Sequence, residues 1–325
     1  MNTLTAREMA FRAVAREQRG CRPYENRRIL TVKGHQDGML LETFLSRLSG
    51  WTTQEEREEG LAQGRVTVDG YDPRLQQVLR GGNRVGMTFL NVVEPVIATD
   101  IRVLYEDDDL LVVVKPAPMP VHPSGRYNKH SLTEIARVAW PDITLKPVHR
   151  LDVNTAGLLL LGKKGNVARK LIRHFRDKVV RKTYLARVQG QVSRPSFTVD
   201  SSIARNPGRG GLRAVVQGGL PAQTDVKTVR PCSDGTTLIR AYPRTGRTNQ
   251  IRLHMQSVGH PVMGDRAYGR GLGKGEAFAN PNDRLYLFAH AIQFPHPVTE
   301  EPMTFRAEPP EWFSAEPEDH TRTLR

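Results

Sequence analysis

The 325-residue chain carries 48 Lys/Arg against 34 Asp/Glu, a formal net charge of +14, with 38% hydrophobic residues. That is enough apolar material for a large domain plus a small one, and the basic excess points to a polyanionic partner. No apolar run approaches the ~18 residues of a membrane span, residues 1–24 lack the apolar core of a secretory signal, and Cys21 and Cys232 fit no metal-ligand spacing, as expected of free thiols in a reducing cytoplasm.

The charge is unevenly spread. Residues 1–100 hold 14 Lys/Arg against 13 Asp/Glu, whereas residues 151–250 hold 19 against 5, so the excess belongs to one stretch. Residues 1–24 read as a flexible basic lead-in. Beyond them Leu40, Leu41, Phe44, Leu45 and Leu48 recur at helical spacing. The charged segment Gln54–Glu59 then leads to Leu61 and a strand with a tight Asp-Gly turn, Arg65-Val66-Thr67-Val68-Asp69-Gly70. Gly81-Gly82-Asn83 turns the chain into the strand-like Arg84–Val93, and Pro95 closes the unit. The stretch Trp51–Gly70 resembles the S4 RNA-binding fold, in which a helix pair feeds a GRVxVNG hairpin, and the resemblance covers about residues 38–93. Residues 25–95 are therefore expected to form an S4-like α/β module. Its charge departs from that family: Glu55, Glu56, Glu58 and Glu59 crowd the helix, and residues 25–95 hold 9 basic against 10 acidic side chains. An acidic face repels phosphate, so two readings stand: a weak RNA binder or a packing partner.

A second domain, residues 96–315, opens near Ile101. Asp107-Asp108-Asp109 forms a turn, and Leu110–Val114 reads as a buried strand ending in Lys115-Pro116. The spacing predicts a helix over about Asn166–Lys178, with Val167, Ala168, Leu171, Ile172 and Phe175 as its apolar stripe and Arg169, Arg173 and Arg176 on another face. Short β-rich runs follow at Tyr184–Val188, Thr237–Ala241 and Leu285–Phe288. Mixed short strands with few helices predict an α+β fold. The glycine-rich run Gly269–Gly275 lacks Walker A spacing and reads as a loop. Residues 316–325 read as a polar tail.

The chemistry gathers around His149-Arg150-Leu151-Asp152, a polar loop leading into the apolar run Leu158–Leu161. Taken alone, an aspartate there is by default a turn-former or cap, with catalysis the less common use. His149 and Asp152 have no companion ligands, so no metal site is expected. The segment VHRLDVNTAGLLLLGK, however, resembles the catalytic motif of the RluA-type pseudouridine synthases. Four further segments match that family in order: KPAPMPVHPSG from Lys115; RKTYLARV from Arg181; RTGRTNQIRLH from Arg244 with GHPVMGD from Gly259; and Ala289-His290-Ala291 with His296-Pro297. Asn249 stands where the family has histidine, and Ala156 where it has serine.

The resemblance spans about residues 101–313 and implies a fold with a mixed, mostly antiparallel sheet. It implies an RNA enzyme that isomerises uridine to pseudouridine. Asp152 would be the reacting carboxylate, Arg252 its ionic partner, and Tyr184 the ring packed on the target base. Arg150 would fill the stack vacated by the flipped nucleotide. The basic stretch from Lys163 to Lys182, with nine Lys/Arg and only Asp177 acidic, supplies the expected phosphate contacts: Lys163, Lys164, Arg169, Arg173, Arg176, Arg181 and Lys182, joined by Arg247. Because the reaction changes no oxidation state, no cofactor or metal is expected. The expected partner is RNA, ribosomal ahead of transfer RNA, acted on by a cytoplasmic monomer. The rival expectation is a non-catalytic RNA-binding or ribosome-assembly factor on the same fold.

Overall fold

The computed structural model describes residues 3–18, 22–48, 51, 53–208, 212–269 and 284–314. The polar tail at 316–325 and all but Gly269 of the glycine-rich loop lie outside them. Residues 21–94 form one compact unit; residues 1–20 and 95–325 form the other.

The chain begins in helix α1 (Thr3–Gln18), which corrects the expectation of a flexible lead-in. Phe11 and Ala15 are fully buried in an apolar cluster with Ile101, Leu111 and Trp140. Arg7 pairs with Glu106 at 3.0 Å, and Glu8 accepts the Val103 amide at 2.8 Å. The apolar stripe is narrow, Phe11, Val14 and Ala15 amid charges, so its periodicity hardly rises above a solvated segment.

The smaller unit contains strand β1 (Tyr24–Thr31), helices α2 (Leu41–Ser46) and α3 (Gln54–Ala62), and strands β2 (Val66–Val68) and β3 (Arg84–Val92), in an antiparallel sheet of order β1-β3-β2. The expected helix pair and Asp-Gly turn are both present. Thr53 starts α3 with a reciprocal capping box to Glu56. Asp69 and Gly70 both take positive φ, 53° and 89°, as a tight hairpin turn requires. The core gathers Leu41, Phe44, Leu45, Trp51, Val66, Leu79 and Val85.

The larger unit continues with β4 (Arg102–Glu106), β5 (Leu110–Lys115), α4 (Leu132–Ala139), β6 (Lys146–Pro147), β7 (Ala156–Gly162), α5 (Gly165–Arg176) and β8 (Arg181–Val188). It ends with β9 (Ser196–Asp200), β10 (Gln223–Pro231), β11 (Thr237–Pro243), α6 (Gln250–Ser257), β12 (Leu287–Pro295), β13 (Pro302–Arg306) and α7 (Glu311–Ser314). One ten-stranded sheet runs β4-β5-β7-β12-β8-β11-β10-β9, with β13 added at β12 and β6 at β7. Its pairs are antiparallel except β7 with β12, parallel over Phe288–Ala156 and Ala289–Gly157. The α+β expectation holds.

The leucine run of β7 is continuous because both faces of this sheet are covered. Leu159 and Leu161 enter the cluster that holds α1 and α4, while Leu158 and Leu160 enter the cluster that holds α5. Gly157, at φ 119°, permits the junction with β12, since a Cβ there would collide with the Ala289 backbone. In α5, Val167, Ala168 and Leu171 are buried as the spacing predicts, but Ile172 is exposed.

Candidate active site

Asp152 lies in the short loop before β7, at a turn in which the Thr155 amide donates to the Asp152 carbonyl at 3.1 Å. Lys115, at the end of β5, anchors this loop from below. Its fully buried ammonium donates to the carbonyls of Met119 (2.7 Å), Pro116 (3.0 Å) and Val153 (3.4 Å). Burial pushes the Lys115 pKa down to about 7, opposed by the negative charge of Asp152 nearby. In the sequence Lys115 stands inside a family-like motif with no task of its own apparent. The available signal was a lone ammonium closing a buried apolar strand, which must find carbonyls or a carboxylate.

His149 serves the scaffold. Its Nε2 accepts the Leu160 amide at 3.1 Å, and its ring stacks on Phe175 at 4.7 Å. Burial, reinforced by Lys182, holds its pKa at about 3, so the imidazole stays neutral. Tyr184, on β8, is half-buried; burial first, then the Asp152 charge, pushes its phenol well above the usual range.

Arg252 is on α6. The expected pairing with Asp152 is present only as its weaker contact, Nη1 to Oδ2 at 3.6 Å. The principal partner is Asp265: Nε and Nη2 fork onto its two oxygens at 2.7 and 2.8 Å. The fully buried Asp265 carboxylate also accepts the amides of Ala267 and Tyr268, both at 3.0 Å. The expected Asp152–Arg252 pair is therefore present, but as the longer of two contacts, with Asp265 holding the arginine more tightly. The carboxylate of the GHPVMGD segment captures the fork because it is dry and backbone-bonded, while Asp152 keeps 21% of its side-chain surface.

Asp152, Tyr184 and Arg252 line one cavity of about 470 Å³, with Arg150, Arg176, Lys182 and Arg247 among its other lining residues. Burial lowers the Lys182 pKa to about 8, and its ammonium reaches the Thr245 carbonyl at 3.3 Å. The remaining expected phosphate contacts lie elsewhere. Arg169, Arg173 and Arg181 are exposed outside the cavity lining. Lys163 is committed internally, to Glu106 at 2.8 Å and the Asp107 carbonyl at 2.6 Å, and Lys164 pairs with Asp109 at 2.8 Å. These two lysines brace the β4–β5 turn, which removes Lys163 from the expected phosphate set. Asp107, Asp109 and His296 converge within 4.8 Å at the same turn. Asp107 there takes the Tyr105 hydroxyl at 2.7 Å and His296 Nε2 at 3.1 Å, so these groups already satisfy one another.

Comparison with known proteins identifies the class. The RNA pseudouridylate synthase family profile matches residues 109–257. An RNA pseudouridine synthase of Aquifex aeolicus is 32% identical over 313 residues, covering 88% of this chain and 95% of that one. Ribosomal large subunit pseudouridine synthase C of Escherichia coli is 33% identical over 299 residues, covering 86% and 92%. The solved structure of human RNA pseudouridylate synthase domain containing 1 superposes with a TM-score of 0.54 at 26% identity, covering 67% of this chain and 87% of that one. The chain belongs to the RluA-type RNA pseudouridine synthases, isomerases that convert uridine to pseudouridine in RNA.

Proposed function

We propose that this enzyme isomerises specific uridines of ribosomal RNA, flipping each into the cavity and using Asp152 as the essential carboxylate. The observation that carries this reading is the position of Asp152. It is a partly exposed carboxylate in a cavity of about 470 Å³ that it shares with Tyr184 and Arg252. In the reaction C1′–N1 breaks, the uracil rotates, C1′–C5 forms, N1 gains a proton and C5 loses one. Asp152 acts at the ribose. Arg252, with Nη1 facing it at 3.6 Å, balances the carboxylate's charge without tying it up in a short pair. Tyr184, its phenol kept protonated, packs on the uracil and assists proton transfer there.

A uridine in a helical stack hides its sugar, so extrusion precedes chemistry at a cost of a few kcal/mol. Exposed Arg150 at the cavity wall fills the vacated stack, and Arg247, Lys182 and Arg176 hold the flanking phosphates. Arg169, Arg173, Arg181 and Lys164 extend this field over the outer surface. Residues 25–95 are read as an S4-like module; with Glu55, Glu58 and Glu59 exposed on α3, it adds little phosphate affinity. Ribosomal RNA is favoured because the E. coli relative is named for the large ribosomal subunit.

The test is tritium release from C5-tritiated uridine in RNA. Asp152→Asn preserves shape and removes the reactive oxygen; RNA binding is expected to persist while release stops. Wild-type-like release by this variant would refute the assignment. Mapping pseudouridines in ribosomal RNA from cells with and without the gene tests the substrate, and an unchanged ribosomal map would exclude it.

A further inference from the structure

Asn249 is the N-cap of α6 and sits in the left-handed region (φ 57°, ψ 22°), which asparagine tolerates better than most side chains. Its Oδ1 accepts from Arg252 Nη1 at 3.0 Å, and its Nδ2 donates to the Tyr268 hydroxyl at 2.9 Å. The amide's orientation follows from chemistry, because a guanidinium has only donors and must meet the oxygen. Tyr268 lies under the guanidinium, its ring centre 4.9 Å from Cζ, and its hydroxyl also accepts the Arg213 amide at 3.2 Å.

Asp265 grips one edge of the guanidinium, through Nε and Nη2. A plane held by one edge can still rock about it, and the atom off that edge travels farthest. That atom is Nη1, the one facing Asp152. Asn249 restrains Nη1 directly and restrains the plane through Tyr268. We propose that Asn249 is a positioning residue that sets the distance between the Arg252 guanidinium and the Asp152 carboxylate. The inference rests on the reading of Asp152 as the reacting carboxylate. Position 249 is also where the chain departs from the resembled motif. An amide bridges acceptor and donor roles at every pH, whereas an imidazole does so only while neutral.

Two substitutions and two readouts test it. With tritium release as the assay, Asn249→Ala is expected to lower kcat about tenfold with KM nearly unchanged, as small misplacements do. Asn249→His is expected to restore most of kcat at alkaline pH. It should also add an acid limb at or below pH ~6.5, since a protonated ring cannot accept from Nη1 and Arg252 opposes protonation. Independently of turnover, NMR of labelled arginine should show faster rotation about Cζ–Nη1 of Arg252 in Asn249→Ala, with the signal assigned by its loss in Arg252→Lys. Unchanged rotation, wild-type kcat in Asn249→Ala, or a pH profile for Asn249→His identical to wild type would each overturn the proposal. An inactive wild type with altered rotation in the variant would overturn the catalytic reading while supporting the positioning.

Discussion

The two charged groups that face each other across the cavity are held by opposite means. Asp152 is positioned through its backbone: a turn and the carbonyls that Lys115 gathers fix the loop, while the carboxylate itself stays partly open. Arg252 is positioned through its charge, forked on a dry carboxylate, propped on an aromatic ring and tethered by an amide. A reacting group must keep its lone pairs available, so its support comes from elsewhere in the chain; a spectator charge can be saturated with partners. On the proposed reading of Asp152, stability and reactivity fall to different carboxylates, Asp265 and Asp152.

The largest expected effect would separate those two roles. Arg252→Ala leaves Asp265 buried without its counter-charge, and breaking such a pair costs about 3–5 kcal/mol. Adding Asp265→Asn to that variant should recover much of the stability and none of the activity, read by urea unfolding alongside tritium release. Recovery of both would show that Arg252 acts only as scaffold. Next comes Lys115→Met, which fills the volume and deprives three carbonyls of their donor. A shift of the Asp152 loop on the order of 1 Å should lower kcat about 100-fold, with about 1–3 kcal/mol of stability lost. A large stability loss with normal kcat in the folded fraction would break the comparison.

A smaller effect concerns pH. His149 is neutral in the fold down to about pH 3, whereas the unfolded chain takes up a proton near 6.5. Its folded pKa is lowered, so the unfolded state binds more protons in that window and stability falls as pH drops through 6.5. The slope approaches about 1.4 kcal/mol per pH unit well below 6.5. His149→Gln keeps an acceptor for the Leu160 amide and does not titrate, so its unfolding free energy should decline less between pH 7 and 5. Parallel declines would remove His149 as the cause. The smallest effect concerns the outer surface. Arg173→Glu should weaken RNA binding and flatten its salt dependence by roughly 0.7 in log–log slope per lost contact with single-stranded RNA. Lys163→Met should leave both unchanged while loosening the β4–β5 turn.

Legibility in the sequence followed physical locality. The leucines of β7, the Asp-Gly turn and, Ile172 apart, the apolar face of α5 are short-range patterns that spacing alone conveys. The cavity trio is visible only in motif order, since nothing in the spacing of residues 152, 184 and 252 brings them together; the fold does. Partner choice stayed hidden. Arg252 forks on Asp265 and keeps only a longer contact to Asp152, and Lys163 pairs with Glu106, because both outcomes depend on desolvation of groups distant in sequence. The first helix is obscure in the sequence for a similar reason: the burial of Phe11 and Ala15 matters only once Trp140 and Ile101 are placed beside them.

The parallel junction at Gly157 makes the ten-stranded sheet less continuous than its strand count suggests. Only two register pairs tie β7 to β12, whereas six tie β5 to β7 and six tie β12 to β8. Asp152 precedes one side of this seam and Tyr184 sits on the strand flanking the other. A seam this short leads to a testable expectation: native-state hydrogen exchange should resolve two blocks meeting at Ala156–Gly157, and a single block would show that the shared apolar core overrides it. An RNA held from both banks would act as a suture across that seam, and slower exchange of the amides bordering it would record the closing of the stitch.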